Sequence, residues 1–340
     1  DKTLNYPVKR ADEIIKIMMK LKKKYPDSKT SFHCELNPLL INESFEDILK
    51  TAPQGFLQFE VGVQSTNPPT LKAIMREVSL EKQFKNITLR VYVDLIAGLP
   101  YETYEIFQNS FNDIYKMNAD KIHLGFLKVL KGSYMQKTAD DYGIVYDGFA
   151  PYKILKSNFI SFSKLRYLEK IESIVETYYN SGNFANTIAY GVSLFESPYV
   201  FYDRFCKHLL GKDYFNRPHK FVYYFDVLYD FLALIKNADM QYSESVLLHD
   251  FCTNSKPRVY PERIKATHSQ KRKQIARDFY NNPANIQKYL PHFEGISPST
   301  ISRQCNIELH EYDVTSKSIQ KKETCILYDY SSNTKIIKIN

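Results

Sequence analysis

The sequence lacks the features that identify membrane proteins and disulfide-bonded proteins. No stretch of the chain approaches the ~18–20 uninterrupted apolar residues that a membrane-spanning helix needs, and no signal peptide is visible. The five cysteines are an odd number and lie far apart, which argues against a disulfide framework and favours a reducing compartment. We therefore expect a cytoplasmic protein. No two cysteines have metal-ligand spacing, so we expect no metal site built from this chain.

The chain also lacks an extreme composition. Its hydrophobic content of 44% and charged content of 25% are typical of soluble globular proteins, and its length of 340 residues favours about two domains. The formal net charge of +8 permits an acidic partner without requiring one. The sequence begins at Asp1, without methionine, inside what reads as the end of a structural element. We therefore expect a fragment of a longer protein.

Helical and strand-like patterns alternate over residues 1–146, which is typical of parallel βαβ units. The patterns predict strands over 30–36, 56–64, 90–97 and 121–129, and helices over 11–24, 44–51, 70–75, 80–87 and 104–116. Pro68 and Pro69 are predicted to split one helix. The step from Ile87 to Thr88 lacks a turn, so either that helix ends early or residues are missing there. The alternation predicts an incomplete βα barrel or a doubly wound sheet.

After residue 146 the pattern changes to amphipathic helices that are rich in tyrosine and phenylalanine. Helices are predicted over 163–179, 201–210 and 221–235, after a linker over 149–155. We predict a helical domain over 147–260 in which the aromatic side chains form the core. Residues 261–340 are predicted to hold a basic segment and a C-terminal β-hairpin, because 307–314 and 324–339 alternate in polarity around Ser331–Asn333.

The segment 90–103 carries the strongest local signal. A run of β-branched and aromatic residues ends at Gly98 and Pro100, and Thr103 can cap the helix that follows. Asp94 lies inside this apolar strand. Because an unpaired buried carboxylate is strongly destabilising, we expect Asp94 to meet a hydrogen-bond donor or a ligand.

Polar residues also lie near the ends of the two preceding strands. Glu35 is either a site residue or a rim carboxylate that pairs with a lysine, whereas His33 and Cys34 are interpreted as structural. Glu60 and Gln64, with Gly62 between them, share one face of the next strand. That face either lines a barrel interior around a ligand or faces water. Parallel strands covered by helices on both faces favour the first interpretation.

Arg76 lies at a helix break, from which its guanidinium can reach a carboxylate or a phosphate near the strand ends. Together with Glu35, Gln64 and Asp94, it supplies two carboxylates, an amide and a guanidinium at the carboxyl ends of consecutive βα units. This set suits a ligand that carries an amino group, a carboxylate and a ribose diol.

The motifs Glu35–Pro38, Gly62–Ser65 and Asp94–Pro100, with Arg76 between the last two, resemble successive motifs of the radical S-adenosylmethionine superfamily. Their order and spacing are similar to those of the oxygen-independent coproporphyrinogen oxidase group and of related cobalamin-binding radical enzymes. The resemblance implies S-adenosylmethionine as a cofactor. The residues that it assigns to cofactor binding are Glu35, Gln64, Ser65, Arg76, Asp94, Leu127 and Val129.

The roles of these residues follow from the resemblance. Glu35 corresponds to the residue that engages the amino end of the cofactor, and Arg76 to the one that engages its carboxylate. Gln64 and Asp94 correspond to residues on the ribose. The strand 124–129, which contains Leu127 and Val129, corresponds to the one whose backbone meets the adenine. The resemblance does not assign a catalytic role to any residue of this sequence.

Two further segments, 59–68 and 125–133, resemble one branch of the superfamily more closely. Its members are uncharacterised bacterial proteins that combine a cobalamin-binding domain, a radical barrel and a C-terminal domain of unknown function. The implied fold class is α/β. Over 1–146 we expect part of a (βα)6 TIM-like barrel, followed by a mostly α-helical C-terminal domain with a terminal β-hairpin. Cobalamin is a further implied cofactor, bound upstream.

The superfamily binds three irons of a 4Fe-4S cluster with three cysteines spaced C-x-x-x-C-x-x-C. No such motif occurs in this sequence. Because Asp1–Asn5 resembles the segment just after the second barrel strand, we expect the cluster ligands upstream. The intact protein is then expected to cleave S-adenosylmethionine reductively and start radical chemistry on an unknown substrate. Its reductant would be a flavodoxin or ferredoxin, and the fragment alone would be inactive.

Two alternative functions remain open. The basic segment 256–273, interleaved with Tyr260 and His268, is compatible with an RNA-binding or RNA-modifying protein, although a charge run is more often a solvated face. A non-catalytic scaffold is the other alternative. Neither alternative, nor the radical enzyme, implies a membrane partner.

Overall fold

The computed structural model describes residues 3–339 apart from 41–46, 48, 54, 77–89, 265–268, 317 and 333. The chain forms two compact units, unit 1 over residues 1–180 and unit 2 over residues 181–340. This division describes the packing of the chain, and the domain boundaries expected after residues 146 and 260 stay predictions. No helix among the described residues is long and apolar enough to cross a membrane.

Unit 1 contains a four-stranded parallel sheet whose strands lie side by side in chain order. The strands are β1 (Phe32–Leu36), β2 (Leu57–Gln64), β3 (Arg90–Ala97) and β4 (Lys121–Phe126). The structure therefore confirms the predicted α/β class and all four predicted strands, although β4 ends at Phe126 rather than at residue 129.

The two faces of this sheet differ in polarity. Alternate residues such as Val61, Val93 and Leu95 are completely buried on one face, where they form the core of unit 1. Glu60 and Asp94 lie on the opposite face and are only half-buried. Strand alternation thus assigns the apolar residues to packing and leaves a polar surface on which a site can form.

The helices of unit 1 largely follow the predicted pattern. They are α1 (Val8–Lys24), α2 (Pro68–Ala73), α3 (Tyr104–Tyr115), the short α4 (Tyr134–Lys137) and α5 (Phe162–Val175). The predicted cap of α3 is confirmed, because the Thr103 hydroxyl accepts a hydrogen bond from Ile106 N at 3.3 Å. The predicted helix over 80–87, the step at 87–88 and most of the predicted helix over 44–51 lie outside the described residues.

Two predictions for unit 1 were wrong. Pro68 and Pro69 do not split a helix but form the first turn of α2, where the missing proline N–H needs no partner. The expected linker over 149–155 instead connects the two strands of a short antiparallel pair, β5 (Val145–Tyr146) and β6 (Ile154–Lys156), and includes the first two residues of β6. Strands this short carry too few residues to show an alternating pattern.

The outer edge of β4 is covered by a side chain from the end of unit 1. α5 continues into a π-helical turn over Glu176–Asn180, which confirms the predicted helix over 163–179. In this turn the Asn180 amide accepts from Ile122 N at 2.8 Å and donates to Ile122 O at 3.0 Å. One buried amide therefore satisfies both backbone groups that Ile122 presents at the sheet edge.

Unit 2 is mostly helical, as predicted. Its helices are α6 (Ala185–Ser193), α7 (Pro198–Leu210), α8 (Phe221–Leu232), α9 (Met240–Asn254), α10 (Ser269–Asn281), α11 (Pro283–Tyr289) and α12 (Pro298–Gln304). The predicted helices over 201–210 and 221–235 correspond to α7 and α8. α6 and the four helices from α9 to α12 have no counterpart in the prediction. Residues on every side of α9 are buried, so its sequence has no amphipathic period to detect.

A three-stranded antiparallel sheet completes unit 2. Its strands are β7 (Cys305–His310), β8 (Thr324–Asp329) and β9 (Lys335–Ile339), in the order β7-β8-β9. The predicted hairpin is confirmed by the pairing of β8 with β9, and β7 adds a third strand on the other side of β8.

Candidate cofactor-binding site on the parallel sheet

The polar face of the unit 1 sheet brings together side chains from all four strands. The strand register places Glu35 beside Glu60, Gly62 beside Asp94, and Asp94 beside His123. Side chains at paired positions of neighbouring strands lie on the same face and within reach of one another. The four strands therefore carry a connected polar surface on this face of the sheet.

Two histidine–carboxylate pairs span this surface. His33 Nε2 lies 2.8 Å from a Glu60 carboxylate oxygen, and His123 Nδ1 lies 3.3 Å from Asp94. The Tyr92 ring lies between the two imidazoles, with centroid distances of 5.5 Å to His33 and 5.7 Å to His123. The aromatic ring thus separates and orients the two pairs.

The two carboxylates of these pairs have opposite pKa shifts. Burial raises the pKa of Asp94, and the adjacent Glu60 raises it further, although the hydrogen bond with His123 opposes the shift. The hydrogen bond with His33 lowers the pKa of Glu60. The hydrogen bond to Asp94 raises the pKa of His123. Asp94 is therefore the carboxylate that holds a proton more readily, and Glu60 is the one that stays ionised.

Gly62 allows two polar side chains to converge beside Asp94. The pairing of β2 with β3 shifts register between Gly62 and Gln64, and Gln64 has a φ of 72°. A Cβ atom at Gly62 would lie 2.4 Å from the Gln64 amide nitrogen and 2.6 Å from an Arg76 guanidinium nitrogen. Only glycine leaves room for both groups over the strand.

The Arg76 guanidinium lies within the electrostatic reach of two carboxylates. Partial burial lowers its pKa, while the charges of Asp94 and Glu35 act in the opposite direction. The Gln64 carbonyl oxygen is buried and has no hydrogen-bond partner among the described residues. A buried amide acceptor without a partner is costly, so this atom is a candidate ligand contact.

The structure thus brings together four of the residues that the sequence assigned to cofactor binding: Glu35, Gln64, Arg76 and Asp94. It places the other three differently. The Ser65 side chain is fully buried and donates to Glu102 at 2.6 Å. Leu127 N and Val129 N already donate to backbone carbonyls, those of Ala97 and Tyr152. The cofactor roles of these three residues stay predictions.

Sequence reasoning missed Glu102, which supports the site through Ser65. Its side chain is almost completely buried, and it accepts hydrogen bonds from Ser65 and from Ser110 at 3.2 Å. Burial raises the pKa of Glu102 to about 7, against the effect of these hydrogen bonds. The carboxyl group therefore fixes the residue that follows Gln64 and is itself partly protonated near neutral pH.

Sequence reasoning also missed His123 and Tyr92. The signal was present, because polar and apolar residues alternate along β4 and place Lys121, His123 and Gly125 on one face. His33, interpreted as structural, forms the contact with the Glu60 carboxylate described above.

A cavity of about 390 Å³ borders this surface. Its walls include His33, Glu35 and Glu60 from the strands, and Tyr6 and Arg10 from the N-terminal segment. Ligand-binding clefts commonly have volumes of roughly 300–1,000 Å³. The polar residues of β1 and β2 therefore face a space that can accommodate part of a small molecule.

The same surface contains a possible cation site. Glu60, Asp94 and His123 each offer one ligand atom, and these atoms lie within 4.8 Å of one another. Two carboxylates and an imidazole suit divalent transition metals. An iron–sulfur cluster does not fit, because Cys34 is the single cysteine in the sequence of unit 1.

Three basic residues of the segment 256–273 form ion pairs within unit 2. Arg263 lies 2.8 Å from Asp230, Lys271 lies 2.7 Å from Glu323, and Arg272 lies 2.8 Å from Glu308. His268 and Lys265 lie outside the described residues. These ion pairs leave fewer cations in the segment for contacts with a phosphate backbone.

Comparison with known proteins places the C-terminal part of the chain in a family. A family model described as protein of unknown function (DUF4080) matches residues 140–328, which is more than half of the chain. The chain belongs to the DUF4080 family. The expectation of a C-terminal domain of unknown function is thereby confirmed. No curated protein matches the DUF4080 chain.

Three proteins are among the solved structures that are similar to the DUF4080 chain. The radical S-adenosylmethionine methyltransferase TsrM from Kitasatospora setae, solved with cobalamin and a 4Fe-4S cluster, is 15% identical over 44% of this chain and 32% of its own, with a TM-score of 0.37. Coproporphyrinogen III oxidase (HemN) from Escherichia coli is 19% identical over 46% of this chain and 42% of its own, with a TM-score of 0.30. Elp3 from Methanocaldococcus infernus is 22% identical over 33% of this chain and 28% of its own, with a TM-score of 0.29. The DUF4080 chain spans less than half the length of each.

Proposed function

We propose that unit 1 binds S-adenosylmethionine on the polar face of its parallel sheet, as one part of a radical enzyme. The observation that carries this proposal is the meeting of the Gln64 amide and the Arg76 guanidinium over Gly62, beside Asp94. Gln64 and Arg76 come from the unit of β2 and α2, whereas Asp94 comes from β3. Their motifs resemble those of radical S-adenosylmethionine enzymes in order and spacing.

The chemistry of these residues fits the cofactor. The Arg76 guanidinium suits a carboxylate, and the Glu35 carboxylate suits an amino group. Asp94 suits ribose hydroxyls, for which it accepts hydrogen bonds when ionised. The buried Gln64 carbonyl oxygen, which has no partner among the described residues, would gain a hydroxyl donor. In this proposal the residues of unit 1 bind and orient the cofactor and exclude water from it.

S-adenosylmethionine supplies hydrogen-abstracting radical chemistry when it is bound to a reduced 4Fe-4S cluster. The three cluster cysteines are not among the 340 residues of this sequence. The proposal therefore assigns the cluster, and cobalamin if the enzyme uses it, to parts of the protein outside this sequence. A flavodoxin or ferredoxin is the proposed reductant.

Gly62→Ala tests the proposal without removing any functional group. The added methyl group is expected to push Gln64 and Arg76 aside, which should weaken S-adenosylmethionine binding about tenfold, the equivalent of one lost charge-assisted hydrogen bond. Isothermal titration calorimetry with S-adenosylmethionine measures the effect. The melting temperature should change little, since the displaced atoms belong to side-chain ends rather than to backbone.

Gly148→Ala is the matched control, because nothing lies within 4 Å of the Cβ position at Gly148. It should bind S-adenosylmethionine as the unmodified chain does. The proposal is wrong if the unmodified chain binds no S-adenosylmethionine, or if Gly62→Ala binds it with unchanged affinity.

The cluster of Glu60, Asp94 and His123 supports a second candidate function, the binding of a divalent metal. In that case Zn²⁺ or Mn²⁺ should bind the chain, and His123→Gln should weaken binding at least about tenfold. His292→Gln, which alters an exposed histidine of unit 2, is the control. If His123→Gln leaves metal affinity unchanged, or if neither ion binds, this second candidate is rejected.

A further inference from the structure

Unit 2 contains a pocket of about 340 Å³ that none of the comparisons assigns. One wall is a face of α10, and the other walls come from the start of α12 and from β7. Its volume lies at the lower end of the range of small-molecule sites, roughly 300–1,000 Å³. The pocket is therefore large enough for a compact ligand.

The charge around this pocket has one sign. Arg272, Lys273 and Arg277 line it from the same helix, and none of the described residues that line it is acidic. Arg272 is held by Glu308, whereas the side chains of Lys273 and Arg277 have no ion pair or hydrogen bond with any described residue. Lys256 lies nearby and donates to the Ser302 carbonyl at 2.8 Å. The two unpaired cations are available to an anion.

The inner wall of the pocket contains apolar side chains and one hydrogen-bond donor that has no partner among the described residues. Ala276, Pro298 and Ile307 give the pocket an apolar side. Tyr280 also lines it and is 7% exposed, and its hydroxyl is buried with no hydrogen-bond partner among the described residues. Burial and the nearby acidic groups raise the Tyr280 pKa, so the hydroxyl keeps its proton and remains a donor. Buried hydroxyls in folded proteins usually have a partner, so Tyr280 gives this wall a hydrogen-bond donor that the described residues leave unsatisfied.

We propose that this pocket binds a small organic anion. Its phosphate or carboxylate head would contact Lys273 and Arg277, and its apolar body would lie against Ala276, Pro298 and Ile307. The Ser299 and Ser302 hydroxyls line the same pocket and can add hydrogen bonds to the ligand. The proposal is independent of cofactor binding in unit 1, because all of its residues lie in unit 2.

The shape of the site favours a small molecule over a nucleic acid. Nucleic-acid surfaces present extended rows of cations that follow a phosphate backbone. Here two unpaired cations border a single pocket, and three neighbouring cations of the basic segment are paired with acidic residues of the same unit. Binding to RNA is therefore an outcome that the test must separate from the proposal.

Titration calorimetry of the full 340-residue chain with phenyl phosphate and with benzoate tests the proposal. At least one should bind saturably, and the better of the two identifies the anionic head. Benzyl alcohol, which lacks the charge, should not bind. Lys273→Gln and Arg277→Gln should each weaken binding about five- to tenfold, and Tyr280→Phe about threefold, as expected for lost charged and neutral hydrogen bonds.

Lys288→Gln serves as the matched control, because Lys288 belongs to α11 and lies over the Tyr289 ring instead of lining the pocket. It removes the same charge and should leave affinity unchanged. The proposal is overturned if neither anion binds saturably, or if Lys288→Gln weakens binding as much as Arg277→Gln. It is also overturned if a ten-nucleotide RNA binds while both small anions do not.

Discussion

Replacement of Arg272 by leucine is expected to lower the free energy of unfolding by about 3 kcal/mol. Glu308 is 2% exposed, and Arg272 donates to it at 2.8 Å. Loss of the guanidinium would leave a buried carboxylate with hydrogen bonds from Tyr260 and Asn306 but without a compensating charge. Urea unfolding followed by circular dichroism measures the change.

The neighbouring residue provides the control for Arg272→Leu. Lys271 pairs with Glu323 at 2.7 Å, and both side chains are more than half exposed. Lys271→Leu should therefore lower the free energy of unfolding by less than about 1 kcal/mol. Adding Glu308→Gln to Arg272→Leu should recover about half or more of the loss, because it removes the buried charge and keeps an acceptor. If Arg272→Leu and Lys271→Leu lower the free energy of unfolding equally, the burial of Glu308 does not determine the loss of stability.

Replacement of Glu102 by glutamine is expected to change how stability depends on pH. Burial raises the pKa of Glu102 from 4.5 to about 7, so between these values the folded chain binds a proton that the unfolded chain has released. The contribution of Glu102 therefore favours folding at acidic pH and declines by about 3 kcal/mol as the pH rises from 4.5 to 7. Glutamine cannot ionise and keeps an acceptor for Ser65 and Ser110.

The difference in unfolding free energy between Glu102→Gln and the unmodified chain isolates this effect. The variant should be the more stable protein at pH 8, and its advantage should shrink steadily down to pH 5. Glu105→Gln, which alters an exposed carboxylate three residues further on, should show no such pH-dependent gain. A difference that does not vary between pH 5 and pH 8 would mean that Glu102 stays ionised in the folded chain.

The convergence of Glu35, Gln64, Arg76 and Asp94 could be anticipated because parallel strands end at one edge of a sheet. Each strand also has enough β-branched and aromatic residues to be located from local pattern alone. The pairing of His33 with Glu60, and of His123 with Asp94, could not be anticipated. It depends on strand register, and a shift of one residue would move each side chain to the other face.

Other features depend on tertiary packing that the local sequence does not encode. α9 is buried on all sides, and so its residues show no helical period in hydrophobicity. Glu102 follows a glycine–proline turn, and a glutamate side chain at such a position is usually exposed to solvent. Its burial arises because Ser65 and Ser110, distant in sequence, meet its carboxyl group.

The two hydrogen bonds between the Asn180 amide and Ile122 limit where further strands can add to the parallel sheet of unit 1. An unpaired strand edge recruits further strands, in a completed barrel or in an aggregate. At β4 an incoming strand would have to displace both amide hydrogen bonds before it could pair with Ile122. At β1 the edge is held by the N-terminal segment through Leu4 N, which donates to Glu35 O at 2.8 Å. A strand that adds beside β1 would displace this hydrogen bond and lie against the cavity that Glu35 borders. Addition of a strand at this edge would therefore also change the shape of the proposed cofactor site.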